Sequence, residues 1–183
     1  MSERVDWLAG GVRATVARER IETAAAELFF ERGIGKVGVD EIAARAGCSR
    51  ATLYRQCGGK SALVHRVLTR AAETVAERVA VAVEPYRGPR RAVEAILASV
   101  VAIRADPALA HWLSRTRAGT TDELLTTAPE LRRIATALTR IAPDDEAAQW
   151  IVRVVLSLLT WPAADAAAER RMVERFVGPL FKG

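Results

Sequence analysis

Between Ile42 and Ala72 the chain carries Arg45, Arg50, Arg55, Lys60, Arg66 and Arg70 and not one Asp or Glu. A run of cations without anions is by itself an ordinary solvated helix face and, where a binding motif coincides with it, the footprint of a protein that meets a polyanion. The chemistry on offer is charge and hydrogen bonding rather than bond breaking. Nowhere does the sequence set a nucleophile beside a general base, build a phosphate loop, pair buried carboxylates or space ligands for a metal. No catalytic, cofactor-binding or metal-binding residue is expected, and the protein is expected not to be an enzyme.

The elements that must hold these cations are legible from Val39 to Lys60. Apolar or small residues at Ile42, Ala43, Ala46, Cys48 and Leu53 stand where two short crossing helices pack, and Gly47 stands where the chain turns between them. The spacing predicts helices over Asp40–Ala46 and Arg50–Gln56. Ser49 reads as the N-cap of the second, its hydroxyl taking an otherwise orphaned amide. Arg50, Ala51, Thr52, Tyr54, Arg55 and Gln56 are then distributed around that helix. Two helices joined in this way form a helix-turn-helix, whose second helix fits a DNA major groove.

Supporting helices follow from periodicity. Ile21, Ala24, Ala25, Leu28 and Phe29 form the apolar stripe of a helix over Ala14–Arg32, closed by Gly33. Gly58-Gly59 breaks the chain, and Lys60 begins a long linking helix to about Val83, ended by the turn cluster Glu84 to Pro89. Helices are expected over Arg90–Ala105, from Asp106-Pro107, from Pro129, over Asp145–Trp161 and over Ala166–Leu180, with a loop at Thr120–Thr127. In the last helix Met172, Val173, Phe176, Val177 and Leu180 form one stripe, with Glu169, Arg170, Arg171, Glu174 and Arg175 outside it. The expected class is all-α. An N-terminal arm and three-helix DNA-binding domain span residues 1–60, and a helical effector-binding and dimerisation domain spans 61–183, with the linking helix at about 60–83.

Composition sets outer bounds. Half of the 183 residues are hydrophobic and the formal net charge is +5, enough core material for this architecture and a general attraction to polyanions. Met1 to Arg20 is too rich in charge for a signal peptide, and Val154 to Trp161 is too short an apolar run to cross a membrane, so a cytoplasmic protein without a membrane partner is expected. Cys48 and Cys57 face the predicted helix-turn-helix core and read as reduced, structural thiols. His65 and His111 have no metal-ligand neighbours in sequence and read as surface or packing residues.

The order of parts resembles the tetracycline-repressor (TetR) family of bacterial regulators. The resemblance is carried by Ala25-Ala-Glu-Leu-Phe, Glu31-Arg-Gly, Asp40-Glu-Ile-Ala-Ala-Arg-Ala-Gly-Cys-Ser-Arg-Ala-Thr-Leu-Tyr and Lys60, within about Arg18 to Leu68. It implies a DNA-binding regulator, a repressor of palindromic operators released by a small molecule. On matching positions it implies that Arg50 and Arg55 reach base edges, while Thr52, Tyr54, Gln56 and Lys60 contact phosphates. Those residue types suit those roles: a guanidinium pairs bidentately with guanine O6 and N7, and hydroxyls and ammonium groups satisfy phosphates without reading sequence. The candidate DNA-binding set is Lys36, Ser49, Arg50, Ala51, Thr52, Tyr54, Arg55, Gln56 and Lys60.

Two places depart from the family pattern. Val37-Gly38-Val39 supplies no hydroxyl before the second helix, and Lys36 stands in for its charge. Gln56-Cys57 replaces the usual aromatic and Phe pair, shrinking a core plug. They motivate an alternative reading, a TetR-like helical protein with weakened operator binding that acts through protein contacts. The resemblance also implies a homodimer through the last two helices, which agrees with their apolar surface; Ile151, Val155, Leu158, Phe176 and Leu180 are the candidate interface residues. Leu97, Val101, Arg104, Trp112, Leu113 and Arg115, in the middle helices, are the candidate pocket for a small, mostly apolar effector.

Overall fold

The computed structural model describes residues 6–110, 129–140 and 144–181, with side chains described for 13–110, 129–140 and 144–179. Helix-forming runs punctuated by glycine and proline set the order of its elements. Helix α1 spans Asp6–Arg32. It starts well before the expected Ala14, because Gly10 and Gly11 each cost a helix only about 1 kcal/mol relative to Ala and do not break it. Gly33 ends it at a positive φ of 84°, and a short turn of 3-10 helix, Ile34–Lys36, leads on. Then come α2 (Val39–Ala46), α3 (Arg50–Cys57) and α4 (Lys60–Val83).

Helix α5 spans Gly88–Ala105. It begins earlier than the expected Arg90, because Pro89 falls in the first turn, where a missing N–H costs nothing. Asp106 then caps a further helical turn at 107–110, its carboxylate accepting from the Ala108 and Leu109 amides at 3.0 and 3.1 Å. Helices α6 (Pro129–Thr139), α7 (Asp145–Thr160) and α8 (Ala166–Phe176) complete the set, with a final 3-10 turn at Gly178–Phe181. The last helix stops short of Leu180, since Pro179 has no amide to continue the ladder and the chain tightens instead. No strand occurs among the described residues, and none of their helices is long and apolar enough to cross a membrane. His111, the Thr120–Thr127 segment and Pro143 lie outside the described residues.

The chain forms two compact units, Met1–Leu68 and Thr69–Gly183. In the first, Ile21, Ala25, Leu28 and Phe29 of α1 pack with Ile42 of α2, Leu53 and Cys57 of α3, and Leu63, Val64 and Val67 from the first turns of α4. Each large side chain removed from water there contributes on the order of 1.5–3 kcal/mol. In the second, Val93, Ile96, Leu97 and Val100 of α5 meet Ala135 of α6, Ala148, Ile151 and Leu158 of α7, and Val173 with Val177. Glu169, expected outside the last apolar stripe, is instead buried at 5% exposure. Ile151 and Leu158, expected at a dimer interface, lie in this core of their own chain, at 4% and 7% exposure.

Candidate nucleic-acid interface

A glycine turn and a serine cap position the exposed face of α3. Gly47 adopts the left-handed conformation (φ 67°, ψ 40°). Its amide donates to the Ala44 carbonyl at 3.1 Å and the Cys48 amide to Ala43 at 2.9 Å, the paired bonds of a Schellman motif. Any residue with a Cβ would be strained at that φ. Two residues on, the Ser49 hydroxyl accepts from the Thr52 amide at 3.1 Å and lies 3.0 Å from the Thr52 hydroxyl. Ser49 is thus the N-cap of α3.

Helix α2 has no hydroxyl cap, as Val37-Gly38-Val39 implies, and solves the problem from the other side. Glu41 reaches back to accept the Gly38 amide at 2.9 Å and is also bound by Arg32. Those donors, the backbone N–H first, hold the Glu41 carboxyl below its ordinary pKa. The cap that the sequence lacks is supplied by a carboxylate three residues later. Nor is the core open where an aromatic pair is missing: Cys57 is fully buried, and burial pushes its thiol pKa up. Cys48 is half-buried against the same core, and both thiols are free.

With Leu53 and Cys57 turned inward, α3 presents a definite outer face. Arg50, Ala51, Tyr54 and Arg55 are exposed, and Thr52 and Gln56 flank them half-buried. Ala51 on this face is small enough to let the helix backbone come close to a groove floor. Tyr54 is 44% exposed, and its ring lies beside Gly59, where an added Cβ would come within 2.8 Å of it. Gly59, at φ 93°, therefore serves both the turn into α4 and the seating of Tyr54. Lys60, half-buried, opens α4, and Lys36 is exposed at the end of the 3-10 turn.

The basic run divides into cations that staple the unit and cations that remain available. Arg45 binds Glu27 at 3.1 Å and Glu31 at 3.8 Å, tying α2 to α1. Arg66 binds Glu22 at 3.2 Å, tying α4 to α1. Arg50 pairs with Asp40 at 3.2 Å and stacks over Tyr54, 5.6 Å from the ring centroid. Arg55, Lys60 and Lys36 form no ion pair among the described residues. Part of the basic run is thereby neutralised, because acids outside the Ile42–Ala72 window fold back onto it.

The remaining expected site residues meet different fates. Leu97 is in the core of the second unit, Val101 is 65% exposed, and Arg104 is held by Glu169 at 2.7 and 2.8 Å and by the Leu158 carbonyl at 2.8 Å. Arg104 is thus a bridge between α5, α7 and α8, and its guanidinium keeps the Glu169 carboxyl below its ordinary pKa. Trp112, Leu113 and Arg115 lie outside the described residues. Of the interface candidates, Val155 is half-buried and Phe176 is 63% exposed; Leu180 lies outside the described side chains. Three charged residues were not singled out by sequence. Asp40 pairs with Arg50, Glu94 pairs with Arg170 at 2.7 and 3.0 Å, and buried Arg91 donates to the carbonyls of Val83 and Leu138 at 2.6 and 2.7 Å. Periodicity gave Arg91 a hint only, as a cation at the head of the apolar run of α5.

Residues 21–67 match the family model described as bacterial regulatory proteins, tetR family. The sequence is 37% identical over 185 residues to an uncharacterized HTH-type transcriptional regulator of Mycobacterium tuberculosis, covering 96% of this chain and 90% of that one. The fold is similar to the TetR family repressor AlkX from Dietzia sp., implicated in biodegradation of n-alkanes, with a TM-score of 0.61 at 23% identity over 90% of this chain and 95% of that one. It is also similar to RolR in complex with its ligand resorcinol, with a TM-score of 0.59 at 23% identity over 88% and 89% of the two chains.

Proposed function

The chain belongs to the tetR family of bacterial regulatory proteins and is a DNA-binding transcriptional regulator, and we propose that it works as a homodimeric cytoplasmic repressor whose paired α3 helices read a palindromic operator. The exposed face of α3 carries this reading. On this reading the exposed Arg50 and Arg55 meet base edges, Thr52, Tyr54 and Gln56 meet phosphates, and Lys36 and Lys60 extend the positive surface. The departures that suggested weakened operator binding are both compensated locally, by Glu41 at the α2 cap and by the closed packing of Cys57. That favours an operator-binding protein over one acting through protein contacts alone.

Dimerisation is proposed through α7 and α8, on the surface formed by Val155, Met172 and Phe176 rather than by the buried Ile151 and Leu158. A twofold pairing would set two α3 helices on successive major grooves. Release is assigned to a small, mostly apolar molecule bound among the middle helices, with Leu97, Val101, Trp112, Leu113 and Arg115 as candidate neighbours and Arg104 acting through its bridge. The resorcinol held by RolR is an example of such a ligand on this fold. By linkage, an effector that releases DNA must bind the DNA-free form more tightly.

The test is binding of duplexes tiled across the DNA flanking the protein's own gene, measured by fluorescence anisotropy over a series of salt concentrations. The expected result is one tile bound about a thousandfold or more tighter than the rest, with an affinity that falls steeply with salt. Equal affinity for every tile would defeat the operator reading.

A further inference from the structure

The exposed face of α3 has a carboxylate at its edge, where a surface facing phosphates has reason to exclude one. Asp40, in the first turn of α2, lies with its two oxygens 3.4 and 3.2 Å from Nη1 of Arg50, and both side chains are largely in water, at 73% and 60% exposure. An exposed pair of this kind contributes little to folding. The charge of Asp40 suits the first turn of α2, where the helix dipole favours an acid, but that does not account for its contact with Arg50. Asp40 engages a single nitrogen of a planar fork that carries five N–H donors. The guanidinium also lies over the ring of Tyr54, one helical turn further on, and that ring is seated in turn against Gly59. Arg50 is thus oriented by a carboxylate at one end and by an aromatic ring beneath it, at the first position of α3.

An unrestrained arginine at such a site pairs with any phosphate in reach, which adds affinity for every sequence alike. An arginine held in a fixed plane has less side-chain freedom to lose on binding a base edge, and a neighbouring carboxylate penalises the approach of a phosphate. Resting on the DNA-binding reading above, we propose that Asp40 is a positioning residue that sets specificity: it orients Arg50 for bidentate recognition of a guanine and keeps that arginine off the phosphates. Asp40 acts only through Arg50 and touches no base itself.

The experiment uses the full chain and duplexes of roughly 30 base pairs with a randomised centre, long enough for two half-sites. Selection with the wild type defines a consensus duplex, and the unselected pool serves as the random probe. Asp40→Asn is expected to bind the random pool several-fold more tightly, with a salt slope steeper by about one unit per half-site. It should also lose about tenfold in discrimination when the guanine facing Arg50 is replaced by adenine. Asp40→Glu, which keeps the charge, should restore most of that discrimination. In an Arg50→Ala background Asp40→Asn should leave the discrimination between guanine and adenine unchanged, since the partner is gone. If Asp40→Asn shifts consensus and random DNA by the same factor, or shifts neither while remaining folded by circular dichroism, the positioning role is wrong although the protein binds its operator. A wild type that enriches no consensus would instead overturn the DNA-binding reading beneath it.

Discussion

In residues Met1–Leu68 the ion pairs lie mostly on the surface, Arg66–Glu22 being part-buried, and the described core is apolar, whereas in Thr69–Gly183 charged residues are also buried and most of the exposed large apolar side chains are found. Arg32–Glu41, Arg45–Glu27 and Arg50–Asp40 all involve side chains at least 41% exposed. The buried charged residues among those described, Arg91 and Glu169, belong to the second unit, and so do the exposed Val81, Val101, Trp150, Trp161, Met172 and Phe176, against Val16 and Tyr54 in the first. The contrast separates two kinds of partner. A closed apolar core under a surface of cations and exposed ion pairs suits a hydrated polyanion, because such pairs add little to folding and leave their cations in water. Exposed apolar side chains on helices cross-linked by buried charges suit a second protein surface, with the internal bridges holding those helices together.

The sharpest way to break this comparison is to charge the open surface. Met172 and Phe176 are one helical turn apart on α8 and both exposed. Met172→Asp with Phe176→Asp is expected to weaken dimerisation by about 4 kcal/mol, roughly a thousandfold, while leaving the helical content of the monomer unchanged. Analytical ultracentrifugation across a concentration series reads the result. An unaltered association constant would mean that this face of α8 simply meets water.

Next in size is the closed core of the first unit. Leu53 is fully buried beneath the α3 face, and Leu53→Ala should cost about 2–5 kcal/mol and lower DNA binding by loosening the recognition helix. Thermal unfolding followed by circular dichroism measures the loss. A variant that melts with the wild type would show that α3 is not held by this contact.

The buried bridge of the second unit comes third. Arg104→Met leaves the Glu169 carboxylate buried without its partner, at a cost of about 2–3 kcal/mol, below the usual range for a buried pair because Arg104 keeps more than a third of its side chain in water. The sign of the pH dependence follows from the lowered pKa of Glu169. A carboxyl whose folded pKa lies below its unfolded value contributes stability above the ordinary carboxylate range, and that contribution is lost as pH falls through the folded value. The stability gap between wild type and variant should therefore be widest near neutrality and narrow in acid. A gap independent of pH would mean that packing, not charge, accounts for the residue.

The smallest effect sharpens the first unit's side of the contrast. Lys60→Ala should weaken binding to all DNA sequences alike and lower the salt slope by roughly one unit per half-site, with at most a modest change in stability. Titrations at several salt concentrations would show an unchanged slope if Lys60 stays clear of the backbone.

The first unit is also the more legible of the two in the amino-acid sequence. The turn at Gly47, the cap at Ser49, the apolar positions of α1 and the start of α4 follow from residues within a few positions of one another, and the structure places each where local rules put it. Where legibility ended, the cause was distance along the chain. The basic run reads as a continuous footprint, yet Glu22, Glu27, Glu31 and Asp40, lying before it in sequence, come back to neutralise parts of it. Glu169 reads as a solvated residue on the polar side of α8, yet Arg104, 65 residues earlier, makes its burial tolerable.

What the sequence determined by itself is what short-range physics enforces: helices begin at caps, end at glycine and proline, and bury the stripe that recurs every three or four residues. It determined as well that one short helix, with arginines on its face, stands after a glycine turn. The tertiary structure alone decided which charges pair, which apolar residues stay inside their own chain and which arginine is held between a carboxylate and a ring. A charge on a helix reads the same whether its face meets water or another helix. Its cost or benefit is set by desolvation and by the distance to a partner, and both exist only once segments far apart in sequence have packed together.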